Sequence, residues 1–145
     1  MNPENLISPV VSSLPPSGIR KFFDVVAEMK DAISLGVGEP DFVTPISIRE
    51  AGIKSLLDGH THYTSNAGLI EFRAEISSYI KRKSGVAYDP KGQILVTVGG
   101  SEAIDVCIRS LIRNGDEVLI PEPSFVCYKP CTVLAGGTAV PIVTR

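Results

Sequence analysis

Little in this sequence points to an export route, a membrane or a nucleic acid. Three cysteines among 145 residues are an odd number at unremarkable positions, which argues against a disulfide framework and fits a reducing compartment. No apolar run approaches the roughly 20 residues of a membrane span. The opening Met1-Asn2-Pro3-Glu4-Asn5 lacks the basic region and long apolar core of an export signal. The expected location is therefore the cytoplasm, with no membrane partner. Positive charge is not in excess either. Fourteen lysines and arginines stand against 16 acidic residues, a net charge of −2 with both signs interspersed, so no nucleic acid partner is expected. The two histidines, His60 and His62, have no Cys, Asp or Glu at a ligand spacing, and no metal is expected. Cys127 and Cys131 lack further ligands in the same way and read as ordinary packing.

What the chain does contain is a strand, turn and helix junction. Ile94-Leu95-Val96-Thr97-Val98 has no polar alternation, as in a strand buried on both faces of a parallel sheet. Gly99-Gly100 then turns the backbone, with Ser101 as N-cap of the helix that follows. Ile104, Cys107, Ile108, Leu111 and Ile112 form one apolar stripe of that helix. Such a junction aims unpaired N–H groups and the positive end of the helix dipole beyond the strand, which makes it a phosphate-sized anion site. A tight turn with no ligand accounts for these residues equally well. Two other nucleotide signatures are missing: there is no GxGxxG, and no lysine follows the glycines as in a P-loop.

The rest of the chain reads as one domain's length, able to bury roughly two thirds of its unfolded surface. Pro3, Pro9, Pro15 and Pro16 break regular structure, so residues 1–16 read as an arm laid over another part of the structure or, equally, as a frayed terminus. Ser17 caps a short amphipathic helix carrying Ile19, Phe22, Phe23 and Val26, with Arg20 and Lys21 on its wet face. A short strand over 32–38 runs into the glycine-bearing loop Gly38-Glu39-Pro40-Asp41-Phe42. Thr44 caps, and Pro45 opens, a helix lasting to Gly59. The polar stretch 59–68 is a loop long enough to be functional. A third helix spans Leu69 to Ile80 and closes with Lys81-Arg82-Lys83 and Gly85. After the central junction, Glu117-Val118-Leu119-Ile120 is a strand stopped by Pro121-Glu122-Pro123. Ser124 caps a helix from Phe125 to Lys129, with Pro130 kinking it or lying near its start. Thr138 to Val143 is a last strand in which Pro141 requires an edge or a bulge. Alternation of strand and helix predicts a parallel α/β sheet, with ligands beyond the strand C-termini.

Five segments in order then carry a resemblance. Gly38-Glu39-Pro40-Asp41-Phe42 with Thr44-Pro45, Tyr63 followed by Gly68 and Arg73, Val98-Gly99-Gly100-Ser101-Glu102-Ala103, Gly115-Asp116-Glu117-Val118, and Pro123-Ser124-Phe125-Val126-Cys127-Tyr128 resemble the class I/II aminotransferases. These are pyridoxal-phosphate enzymes of the aspartate aminotransferase fold. The resemblance implies an N-terminal arm and small-domain segment over 1–44. It implies the first part of the parallel-sheet large domain of a fold type I enzyme over 45–145. It implies pyridoxal 5'-phosphate as cofactor, its phosphate held by Gly99, Gly100 and Ser101 and its ring stacked on Phe125. Tyr63 then reaches the phosphate bound by a neighbouring subunit of a homodimer, and the backbone of Gly38 faces the substrate carboxylate. Glu102 is a weaker candidate, since its carboxylate should point away from a dianion.

The implied reaction moves an amino group between an α-amino acid and a 2-oxo acid. The family's Schiff-base lysine, its acidic partner for the pyridine nitrogen and its substrate-binding arginine fall beyond the matched region. The chain is therefore expected to be the N-terminal part of an enzyme and inactive alone, with no catalytic residue assigned within it. Apolar edges beside 94–98 and 138–143 are expected to favour aggregation. Other readings are a carbon–sulfur lyase or cyclopropane-forming synthase of the same fold, a non-catalytic aminotransferase-like module of a transcription regulator, and a doubly wound domain with no cofactor.

Overall fold

The computed structural model describes residues 6–29, 31, 33, 38 and 40–145. In chain order the elements are α1 (Pro9–Ser12), α2 (Ile19–Glu28), α3 (Ile46–Leu57), α4 (Ile70–Ser84), α5 (Gly99–Leu111), β1 (Glu117–Glu122), α6 (Tyr128–Leu134) and β2 (Thr138–Val143). They fall into two compact units, Gly18–Leu95 and Met1–Ser17 with Val96–Arg145.

In the second unit β1 and β2 pair in parallel, from Glu117 opposite Thr138 to Glu122 opposite Val143, joined by α6. This is the βαβ arrangement expected of alternating elements. Its core lies where α6 meets the strands: Ile120, Cys131 and Thr132 are buried. Burying an isoleucine of this kind contributes about 1.5–3 kcal/mol. Thr132 is fully enclosed, and its hydroxyl donates to the Tyr128 carbonyl at 2.9 Å, so no polar atom is left unmet. Gly137 is required by packing: a Cβ there would lie 2.7 Å from Ile112 Cγ2 and 3.2 Å from the Asp116 carbonyl oxygen. α5 packs against α6, and the single turn of α1 also contacts α6.

Among the described residues, the first unit holds three helices. α2 follows Gly18, and α4 closes on Gly85 in the left-handed region (φ 76°), whose amide bonds the Lys81 carbonyl. Arg73 is buried although charged. Its Nη1 donates to the carbonyls of Pro90 (2.9 Å) and Lys91 (3.3 Å), and Ser77, one turn further along, donates to that of Tyr88 at 2.5 Å. One face of α4 thereby grips the turn at 88–93.

Several expectations are corrected. The arm is not wholly irregular, because Pro9 stands at a helix start, where its missing N–H costs nothing. Pro45 (ψ 142°) is the N-cap of α3 in place of Thr44, since its extended ψ keeps it outside the helix. Residues 94–98 form no strand: among the described residues they have no ladder partner, and an extended segment becomes a strand only by pairing. β1 runs through Pro121 and Glu122, two residues beyond the expected stop. The helix expected from Phe125 begins at Tyr128, with Cys127 rather than Ser124 as N-cap. That later start puts Pro130 in the first turn, where an N–H has no helical partner in any case. The wet-face expectation for Arg20 and Lys21, and the strand over 32–38, lie outside the described residues.

Candidate functional site

The anion-site geometry is built at the start of α5. Gly99 has φ 81°, the left-handed region that a side chain disfavours, and it turns the chain from extended to helical within one residue. The helix thus begins at Gly99, and Ser101 is a residue of its first turn rather than its cap. Four amides at such an end have no helical acceptor, and here two of them are met locally. The Gly99 amide donates to the Thr97 carbonyl at 2.9 Å, and the Val98 amide donates to the Glu102 carboxylate. The Thr97 hydroxyl closes the turn on the Gly99 carbonyl at 3.0 Å.

The Gly100 and Ser101 amides and the Ser101 hydroxyl have no partner among the described residues. A Cβ placed on Gly99 or Gly100 would meet nothing within 4 Å. The result is three open donors at the positive end of a 13-residue helix, a setting that suits an anion.

Phe125 belongs to the same unit, on the segment between β1 and α6 that leaves the C-terminal end of β1. Its ring meets Tyr128 edge-on (centroids 6.1 Å, planes at 87°) and stays half exposed, so ring surface remains free for stacking. On the facing helices, Asp105 and Arg109 pair at 2.8 Å on α5, which holds the Asp105 carboxyl below its usual range. Burial first, then Cys127 and Asp105, push the Cys131 thiol up, so it stays protonated as a packing group. Tyr63 and Gly38 belong to the other unit, both exposed: Tyr63 between α3 and α4, Gly38 ahead of α3.

Sequence reasoning treated Glu102 only as an anion near an anion. The legible signal was an acidic residue four after Val98, which lets a side chain reach back to an amide ahead of the helix. Thr97 was read only as part of an apolar run.

The likeness to known proteins runs through the same segments. Residues 30–145 match the family Aminotransferase class I and II. The Bacillus subtilis protein YugH, an aminotransferase by name, is 51% identical over 138 residues, covering 95% of this chain and 36% of YugH. The aspartate aminotransferase of Pyrococcus abyssi is 46% identical over 129 residues, 89% of this chain and 33% of that protein. The crystal structure of the aromatic aminotransferase from Pyrococcus horikoshii superposes with a TM-score of 0.76 at 42% identity, over 85% of this chain and 33% of that one. The chain thus spans about a third of the length of these relatives. Its fold is part of the α/β fold type I architecture. With the match extending from residue 30 to residue 145, this chain belongs to the class I and II aminotransferases.

Proposed function

We propose that the full-length protein is a pyridoxal-phosphate-dependent aminotransferase that moves an amino group between an α-amino acid and a 2-oxo acid. The family generally depends on that cofactor. The observation that carries the reading is the start of α5, where two amides and a hydroxyl stand open on glycines with room above them. These donors fit the cofactor's phosphate. When bound, the cofactor supplies a pyridine ring that takes up the electron pair left as the amino acid's α-carbon loses its proton.

This chain's own residues bind and orient. Gly100 and Ser101 hold the phosphate, and Gly99 supplies the left-handed turn that presents them. Phe125 lays an apolar face against the ring. Tyr63, by resemblance, donates its hydroxyl to the phosphate of a neighbouring subunit in a homodimer, and the Gly38 backbone faces the substrate carboxylate. In the full-length enzyme, 1–44 is an arm and small-domain segment and 45–145 the first part of the large domain. By resemblance, the lysine that moves the proton lies beyond the matched residues; the unit holding the start of α5 has one lysine, Lys129, exposed on α6. The names of the relatives include aspartate, aromatic and N-acetyl-LL-diaminopimelate aminotransferases, so the substrate side chain is left open.

The test is an absorbance titration of full-length protein with pyridoxal phosphate, followed by an assay with amino acid and 2-oxo acid. Saturable binding and turnover are expected, with no turnover by the 145-residue chain alone. Absence of binding by the full-length protein would overturn the proposal.

A further inference from the structure

Resting on that reading, we propose that Glu102 is a positioning residue whose parked carboxylate keeps the phosphate donors open. A carboxylate in the first turn of a helix is an acceptor beside unmet N–H groups, and short acidic side chains at helix starts ordinarily bond such groups themselves. Left free, Glu102 would compete with a phosphate for the Gly100 and Ser101 amides. The structure directs it elsewhere: the Val98 amide, ahead of the helix, donates to the Glu102 carboxylate. The Thr97 carbonyl occupies the Gly99 amide in turn, at 2.9 Å. The amides ahead of Gly100 are thereby used up, and those of Gly100 and Ser101 remain. One negative charge nevertheless stays fixed within a turn of the anion. Glu102 thus acts in two opposed ways, holding the donors open by its hydrogen bond and weakening the anion by its charge.

These two effects separate by substitution in the full-length apoenzyme, titrated with pyridoxal phosphate and, as competitor, inorganic phosphate. Glu102→Gln keeps an acceptor for Val98 and removes the charge. Binding should tighten about two- to five-fold, the size of a charge effect at a helix end, and the gain should shrink at high salt. Glu102→Asp keeps the charge but is one methylene too short to reach Val98. Its carboxylate falls back on the donors, and binding should weaken by about ten-fold at unchanged salt dependence.

The Gln variant decides the question should the aspartate variant fail to fold. A Gln variant that binds no tighter, or a folded Asp variant that binds like wild type, overturns the inference. Wild-type apoenzyme that binds neither pyridoxal phosphate nor phosphate would instead overturn the functional reading beneath it.

Discussion

The two units of this chain form helices equally well but differ in what those helices cover. In Val96–Arg145, α6 lies on β1 and β2, α5 lies on α6, and Ile120, Cys131 and Thr132 are buried between them. In Gly18–Leu95, no packing joins α2, α3 and α4 among the described residues, and Phe22, Ile53, Leu56 and Leu57 remain exposed. The one buried side chain there among the described residues is Arg73, held by backbone carbonyls of a neighbouring turn. Helices are set by local hydrogen bonds and caps, whereas a core needs surfaces brought from distant segments. A unit can therefore carry the first without the second.

The sharpest way to break this comparison is to substitute glycines on both sides of it. Gly137→Leu forces a side chain into Ile112 and the Asp116 carbonyl, and should cost about 3 kcal/mol in urea unfolding of the full-length protein. Gly99→Ala should cost about 1–2 kcal/mol through its positive φ and weaken pyridoxal phosphate binding with it. Gly52→Ala, in the open interior of α3, should have the opposite sign and stabilise by about 0.5–1 kcal/mol. If all three destabilise alike, the contrast between the units is wrong.

Exposure supplies a smaller test. Leu57→Ser in the 145-residue chain should change stability by less than about 0.5 kcal/mol, because the leucine is 82% exposed. A loss above about 2 kcal/mol would mean that this leucine is covered in solution.

The least effect is electrostatic. Arg109 lowers the Asp105 carboxyl, so whatever the pair contributes is present above the usual carboxylate range. It is lost as pH falls through the lowered value. Asp105→Asn should therefore lower the melting temperature slightly near neutrality and converge with the wild type in acid, which a pH series of melting temperatures checks. Because the pair is solvent-exposed, the change should be small.

How far the sequence could be read follows the same division. Helices α2 to α5 were legible in apolar spacing and in glycine and proline punctuation, and Gly85 closes α4 as the spacing predicts. The parallel pairing of β1 and β2 was legible because a helix stands between the two strands in sequence. The segment 94–98 was misread because composition marks a strand's burial, not its partner. Ser101 and Ser124 were misplaced as caps for a related reason. A hydroxyl is a plausible cap anywhere, but Gly99 bends the backbone two residues early, and Pro130 delays the other helix until it falls in the first turn. The glycines at the start of α5 were visible, whereas the routing of Glu102 to Val98 depends on where the helix starts and could be seen only in three dimensions.

One detail of the small sheet reaches further than its size suggests. Ahead of the strands the Gly115 amide bonds the Gly136 carbonyl (3.1 Å), and the Thr138 amide bonds that of Asp116 (2.7 Å). Beyond them the Thr144 amide bonds the carbonyl of Glu122 at 3.0 Å. A ribbon of two strands ordinarily unzips from its free ends, but this one is tied at each. Its amides should therefore give up deuterium together, with one opening free energy, and not in a gradient from the rim inward.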